Sequence, residues 1–108
     1  MQRLKEMLDS GEVQLVDTRE GYEVEAGHIP GSRHVELNEV SGAAERFDRG
    51  QPLVFYCRSG ERSAMPADAF SSAGFDAYNL AGGILAWREA GLPLNPKDGE
   101  VADRRVHD

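Results

Sequence analysis

Cysteine is almost missing from this 108-residue chain: Cys57 is its one thiol. That excludes an internal disulfide and any metal-bound thiolate cluster within one chain. A free thiol suits a reducing compartment, so the cytoplasm is the expected location. Aromatic residues are scarce at 7%, which leaves aliphatic side chains and alanine to fill the interior. Long apolar runs are absent. Nothing approaches the ~20 residues that span a bilayer, and Met1-Gln2-Arg3-Leu4-Lys5-Glu6 lacks the apolar centre of a signal peptide. Positive charge is outnumbered, with 12 Lys and Arg against 19 Asp and Glu, for a formal net charge of -7. Such a surface weighs against nucleic acid and anionic membranes as partners, and any anion site must supply its own cations.

What is present suffices for one domain with one core, at 40% hydrophobic residues. Leu4, Met7 and Leu8 recur at helical spacing, with Gly11 to end the helix. Val13 to Asp17 reads as a strand, Glu20 to Glu25 as a single helical turn closed by Gly27, and His28 to Ser32 as a Pro-Gly turn. A short strand is expected at His34–Glu36 and a weakly patterned helix from Leu37 to Phe47, interrupted by Gly42. Leu53-Val54-Phe55-Tyr56 is the clearest strand. Ala64 to Ala73 reads as a helix ended by Gly74, with Pro66 in its first turn, where a missing N–H costs little. A strand over Asp76–Leu80 and a helix over Ile84–Ala90 follow. Alternating strands and helices predict an α/β fold, a small parallel sheet with helices on both faces. Residues 1–96 are expected to form the domain and residues 97–108 a loose polar tail.

The stretch that carries chemistry is Cys57-Arg58-Ser59-Gly60-Glu61-Arg62-Ser63. It follows a buried strand and precedes a helix. In parallel α/β sheets ligands sit outside the carboxyl ends of strands, and the rule brings this loop and Asp17–Arg19 to one edge. The thiolate is the reactive form of cysteine, and helix N-termini and nearby cations favour it. Arg58 and Arg62 supply the cations, Ser59 and Ser63 supply hydroxyl donors, and Gly60 permits a tight turn. The loop is therefore suited to hold a negative atom beside Cys57. Four residues separate Cys57 from Arg62. Cysteine phosphatases resemble this arrangement with one residue more. The shorter loop suits a single added sulfur, a persulfide, rather than a phosphoryl group.

Other residues have plainer readings. Glu61 is a solvated loop residue. Asp17 and Arg19 read as supporting residues, the aspartate capping a turn and the arginine bracing a loop. His28 belongs to the Pro-Gly turn, Trp87 to the core, and no spacing of histidines supports a metal site. No cofactor is implied.

Four motifs in order give the chain a family resemblance. Val16-Asp17-Thr18-Arg19, the series Glu23, Gly27, His28, Ile29, Pro30, Gly31 and Ser32, the Cys57 loop, and Gly82-Gly83 with Trp87, Gly91, Leu92 and Pro93 together resemble a single-domain rhodanese, over about nine-tenths of the sequence. The resemblance implies a sulfurtransferase. Cys57 would take the sulfane sulfur of a small anionic donor such as thiosulfate, and a thiol, cyanide or a protein would accept it from the persulfide. It implies that backbone N–H groups from Arg58 to Ser63 stabilise the persulfide and that Arg58 and Arg62 bind the donor, in a site that also includes Ser59, Gly60, Glu61 and Ser63. Family members carry a strand before the first helix, whereas here Met1-Gln2-Arg3-Leu4 already reads as that helix, so the fold is expected without it. Two other functions fit the same residues: a non-enzymatic rhodanese-like regulatory or interaction module, and a small cysteine phosphatase or arsenate reductase.

Overall fold

The computed structural model describes residues 1–104. The elements run α1 (Gln2–Asp9), β1 (Gln14–Asp17), α2 (Gly21–Ala26), β2 (Arg33–His34), a 3₁₀ segment (Leu37–Arg46), β3 (Leu53–Tyr56), α3 (Glu61–Ser72), β4 (Ala77–Asn79) and α4 (Gly83–Glu89). The strands form one parallel sheet in the order β2-β1-β3-β4. The expected fold class is the one observed, and α1 is the first element of the described chain. No described helix is long and apolar enough to cross a membrane.

The β3 side chains alternate between the two faces, as a period of two requires. Leu53 and Phe55 join Val16, Val40, Ala43 and Phe70 beneath α3 and the 3₁₀ segment. Val54 and Tyr56 join Leu15, Ile29, Ile84 and Trp87 on the side of α1 and α4. With helices over both faces, all four β3 residues are buried. The interior is less aliphatic than the composition suggests. All four phenylalanines, Phe47, Phe55, Phe70 and Phe75, pack edge-on or tilted in one cluster.

Three local expectations need correction. The segment after Leu37 is 3₁₀ rather than α. Val40 and Ala43, three apart, are its buried residues, and three residues per turn put both on one face. Next, α3 starts at Glu61, directly after Gly60 at φ 100°. Pro66 thus falls past the first turn and removes the N–H that Arg62 C=O would have accepted. Third, residues 97–104 are tethered: Glu100 N–H donates to Ala26 O and Val101 is buried in the second core cluster. Polar composition hid the single apolar anchor, Val101. Residues 105–108 of the expected tail lie outside the described residues.

Strand order sets the position of the site. The chain leaves β1 toward β2 on one side and leaves β3 toward β4 on the other. The connections therefore diverge above the β1–β3 pair, where an open α/β sheet forms its crevice. Asp17 lies opposite Tyr56 in that pair, and Thr18 N–H and Oγ1 both donate to Tyr56 O.

Candidate active site

Cys57 directly follows β3 and is 1% exposed. The loop after it takes its shape from α4. Ile84 N–H donates to Cys57 O (3.0 Å) and Leu85 N–H to Arg58 O (3.2 Å). These donors belong to the first turn of α4, whose N–H groups have no partner within the helix. Gly83, at φ 57°, lets the chains approach: a Cβ there would collide with both carbonyls. With the carbonyls turned toward α4, the loop closes at Gly60, whose N–H donates to Cys57 Sγ at 3.1 Å. Ser63, fully buried in the first turn of α3, places Oγ 3.4 Å from the same sulfur.

The two arginines of the loop are engaged elsewhere. Arg62 forms a two-pronged pair with Glu23, Nη1 to Oε1 at 2.8 Å and Nη2 to Oε2 at 3.0 Å. Burial pushes the Glu23 carboxyl up, but the Arg62 hydrogen bonds, the Glu20 amide and the Arg62 and Arg19 charges bring it below its ordinary value. The same hydrogen bonds raise Arg62, burial opposes the rise, and the charges of Glu23 and Cys57 add to it. Arg58 reaches outward, Nη2 to Asp103 Oδ1 at 2.9 Å. Its Nε is buried without a protein partner among the described residues. Ser59 and Glu61 are exposed. An open hollow of about 420 Å³ adjoins Arg62, bounded also by Glu20, Glu36, Leu37, Met65 and Arg104.

Asp17 and Arg19 pair with each other rather than with the sulfur. Arg19 Nη2 donates to Asp17 Oδ2 (2.8 Å) and to Gly27 O (2.8 Å), Nε donates to Asp17 Oδ1 (3.0 Å), and both side chains are fully buried. Burial works against the Arg19 charge; the Asp17 hydrogen bonds and charge more than offset it. His34 Nε2 bonds Arg19 O and His28 Nδ1 bonds Val24 O. No group of three or more His, Cys, Asp or Glu among the described residues could hold a metal ion.

Two residues of the site escaped the sequence reading of function. Glu23, quoted there only within a motif, is the buried partner of Arg62. Its local signal is the capping box it forms with Glu20 at the start of α2. Asn79, the last residue of β4, donates from Nδ2 to Gly60 O (2.9 Å) and accepts from Ser63 Oγ (2.5 Å). Its position at a strand's carboxyl end is the only signal it offered.

The comparisons with known proteins identify the family. The model of the rhodanese-like domain family matches residues 1–90, and the chain belongs to that family. It is 34% identical over 101 residues to the thiosulfate sulfurtransferase GlpE of Pseudomonas aeruginosa, covering 93% of this chain and 90% of that protein. It is 32% identical over 94 residues to a sulfurtransferase of Allochromatium vinosum, covering 86% of this chain and 88% of that one. Among solved structures, a rhodanese-like domain protein from Staphylococcus aureus superposes with a TM-score of 0.74 at 28% identity, covering 94% of each chain.

Proposed function

We propose that this protein is a sulfurtransferase that carries sulfane sulfur on Cys57. The thiolate attacks the outer sulfur of thiosulfate or a related anionic donor. The donor's S–S bond breaks, sulfite leaves with the electron pair, and Cys57 keeps the transferred sulfur as a persulfide. A thiol, cyanide or a protein nucleophile then takes that outer sulfur and returns the thiolate. With no second cysteine in the chain, discharge depends on the external acceptor.

The observation that carries this reading is the Gly60 N–H on Cys57 Sγ at 3.1 Å, in a loop whose Cys57 and Arg58 carbonyls are bonded to α4. A fixed amide aimed at a sulfur that becomes anionic stabilises charge without reorganisation. The enclosure of the thiol favours a slender donor with a terminal sulfur over a phosphate ester. The names of the two relatives support the reaction class. The arginines divide their roles. Arg62, held by buried Glu23, braces the loop, whereas Arg58, on an exposed aspartate, is the cation free to exchange partners for an anionic donor. A single free thiol suits the cytoplasm.

Intact-mass measurement after incubation with thiosulfate tests the proposal. One added sulfur on Cys57, removed by cyanide as thiocyanate, is the expected result. A folded protein that gains no sulfur overturns it. Cys57-dependent hydrolysis of an aryl phosphate would instead make the protein a phosphatase.

A further inference from the structure

Donor and acceptor rules fix the direction of every hydrogen bond around Asn79. Gly60 O is a carbonyl and only accepts, so the side-chain atom facing it at 2.9 Å is the amide nitrogen Nδ2. The remaining atom is Oδ1, which also only accepts. Ser63 Oγ lies 2.5 Å from it and must donate there. A hydroxyl has one proton. Ser63 therefore offers Cys57 Sγ, 3.4 Å away, only its lone pairs. In this arrangement Ser63 accepts from the neutral thiol and gives nothing to a thiolate. Gly60 N–H donates to the sulfur whichever way the Ser63 proton points, and Gly60 is the residue that Asn79 grips by its carbonyl.

We propose that Asn79 is a positioning residue that sets the hydrogen-bond polarity at Cys57, holding the Ser63 hydroxyl away from the sulfur until the thiol ionises. On ionisation the thiol proton leaves to solvent. Ser63 then rotates its O–H from Asn79 Oδ1 to the sulfur, exchanging one acceptor for a charged one. The amide grip on Gly60 O is unchanged, so the loop keeps its shape while one proton changes direction. Of the loop's charges, Arg62 interacts electrostatically with Cys57 and is paired with Glu23, while Arg58 is held by Asp103. They are common to every variant below. The inference rests on Cys57 as the reacting group but not on sulfur transfer.

The test is the pH dependence of Cys57 alkylation by iodoacetamide in the full chain, which needs no sulfur donor. Asn79→Ala frees the Ser63 hydroxyl for the thiolate, and the midpoint of the rate profile falls by about one pH unit, about tenfold in rate below the midpoint. In a Ser63→Ala background the same change loses that downward shift. Asn79→Asp still accepts from the hydroxyl, but it adds negative charge and turns a carboxylate oxygen toward Gly60 O, so its midpoint rises. This second variant decides the matter if Asn79→Ala does not fold. An unchanged or raised midpoint in folded Asn79→Ala overturns the proposal, as does a downward shift that survives in Ser63→Ala or a lowered midpoint in Asn79→Asp. Loss of thiosulfate transfer with the alkylation shifts intact would strike the proposed function and leave this inference standing.

Discussion

The loops after β1 and β3 start side by side, in register, at the same edge of the sheet, and they use it oppositely. After β1, Asp17 and Arg19 satisfy one another across two residues, and Gly27 O takes a further guanidinium donor. Arg19 Nη1 is enclosed there without a protein partner among the described residues. After β3, the loop is held from outside: the Cys57 and Arg58 carbonyls by α4, the Arg62 side chain by α2, Arg58 Nη2 by the segment after Val101, Gly60 O and Ser63 Oγ by β4. A loop held from four sides keeps its sulfur in place and leaves Gly60 N–H aimed at it. A location at the switch point is therefore not enough to make a site; the separation lies in where each polar group finds its partner.

The sharpest way to break that comparison is to remove one centre from each loop. Cys57→Ser should abolish sulfur transfer, to the level of buffer, while leaving a cooperative melt, since an oxygen cannot carry the persulfide. Residual thiocyanate formation by that variant would show that the sulfur is held elsewhere. Arg19→Ala should do the reverse. It leaves Asp17 fully buried without its guanidinium partner, and such breakage costs about 3–5 kcal/mol. Denaturant unfolding measures it. A small loss of stability with a large loss of transfer at matched folded fraction would move the β1 pair from brace to site.

Glu23 sharpens the contrast at intermediate size, because it links a helix of the first loop to an arginine of the second. Its folded carboxyl lies below the ordinary value of 4.5. A depressed carboxylate contributes stability that is present above its unfolded value and is lost as pH falls through the folded one. Acid unfolding below about pH 4.5 should therefore be steeper in the wild type than in Glu23→Gln. At neutral pH that variant should lose about 2 kcal/mol, because Arg62 is left mostly buried without its counter-charge. Equal acid slopes would mean that Arg62 finds another acceptor and that the loop does not depend on α2.

The same division explains what the sequence disclosed. Elements with a local pattern were legible: the apolar run Leu53–Tyr56, the Gly-closed helices, the Pro-Gly turn, and the cysteine loop between strand and helix. The α3 start moved because Gly60, read as a loop glycine, turns the chain into the helix. The 3₁₀ segment has no helical stripe to distinguish it, only Val40 and Ala43. The site partners were illegible for a different reason. Glu23 is 39 residues from Arg62, Asn79 is 19 from Gly60, and Asp103 is 45 from Arg58. A polar contact at that separation leaves no period in the sequence, since each partner also reads as an ordinary surface residue. Asp17 and Arg19, two apart, were legible as structure because the pair is local.

The smallest expected effect tests whether the β3 loop differs from the β1 loop in having a cation whose partner can be exchanged. Arg58 pairs with Asp103, whose side chain is 93% exposed. A contact of that kind contributes about 0–1 kcal/mol, because water competes for both charges. Asp103→Asn should leave the melting temperature close to that of the wild type. It should also lower KM for thiosulfate about two- to threefold with kcat unchanged, by removing an anion that competes with the donor for Arg58. Added salt should narrow the difference, since salt screens the exposed pair. A raised KM would mean that Asp103 orients Arg58 for the donor. A large loss of stability would make Asp103 a brace in the manner of Asp17, and the two loops would then differ only in the sulfur.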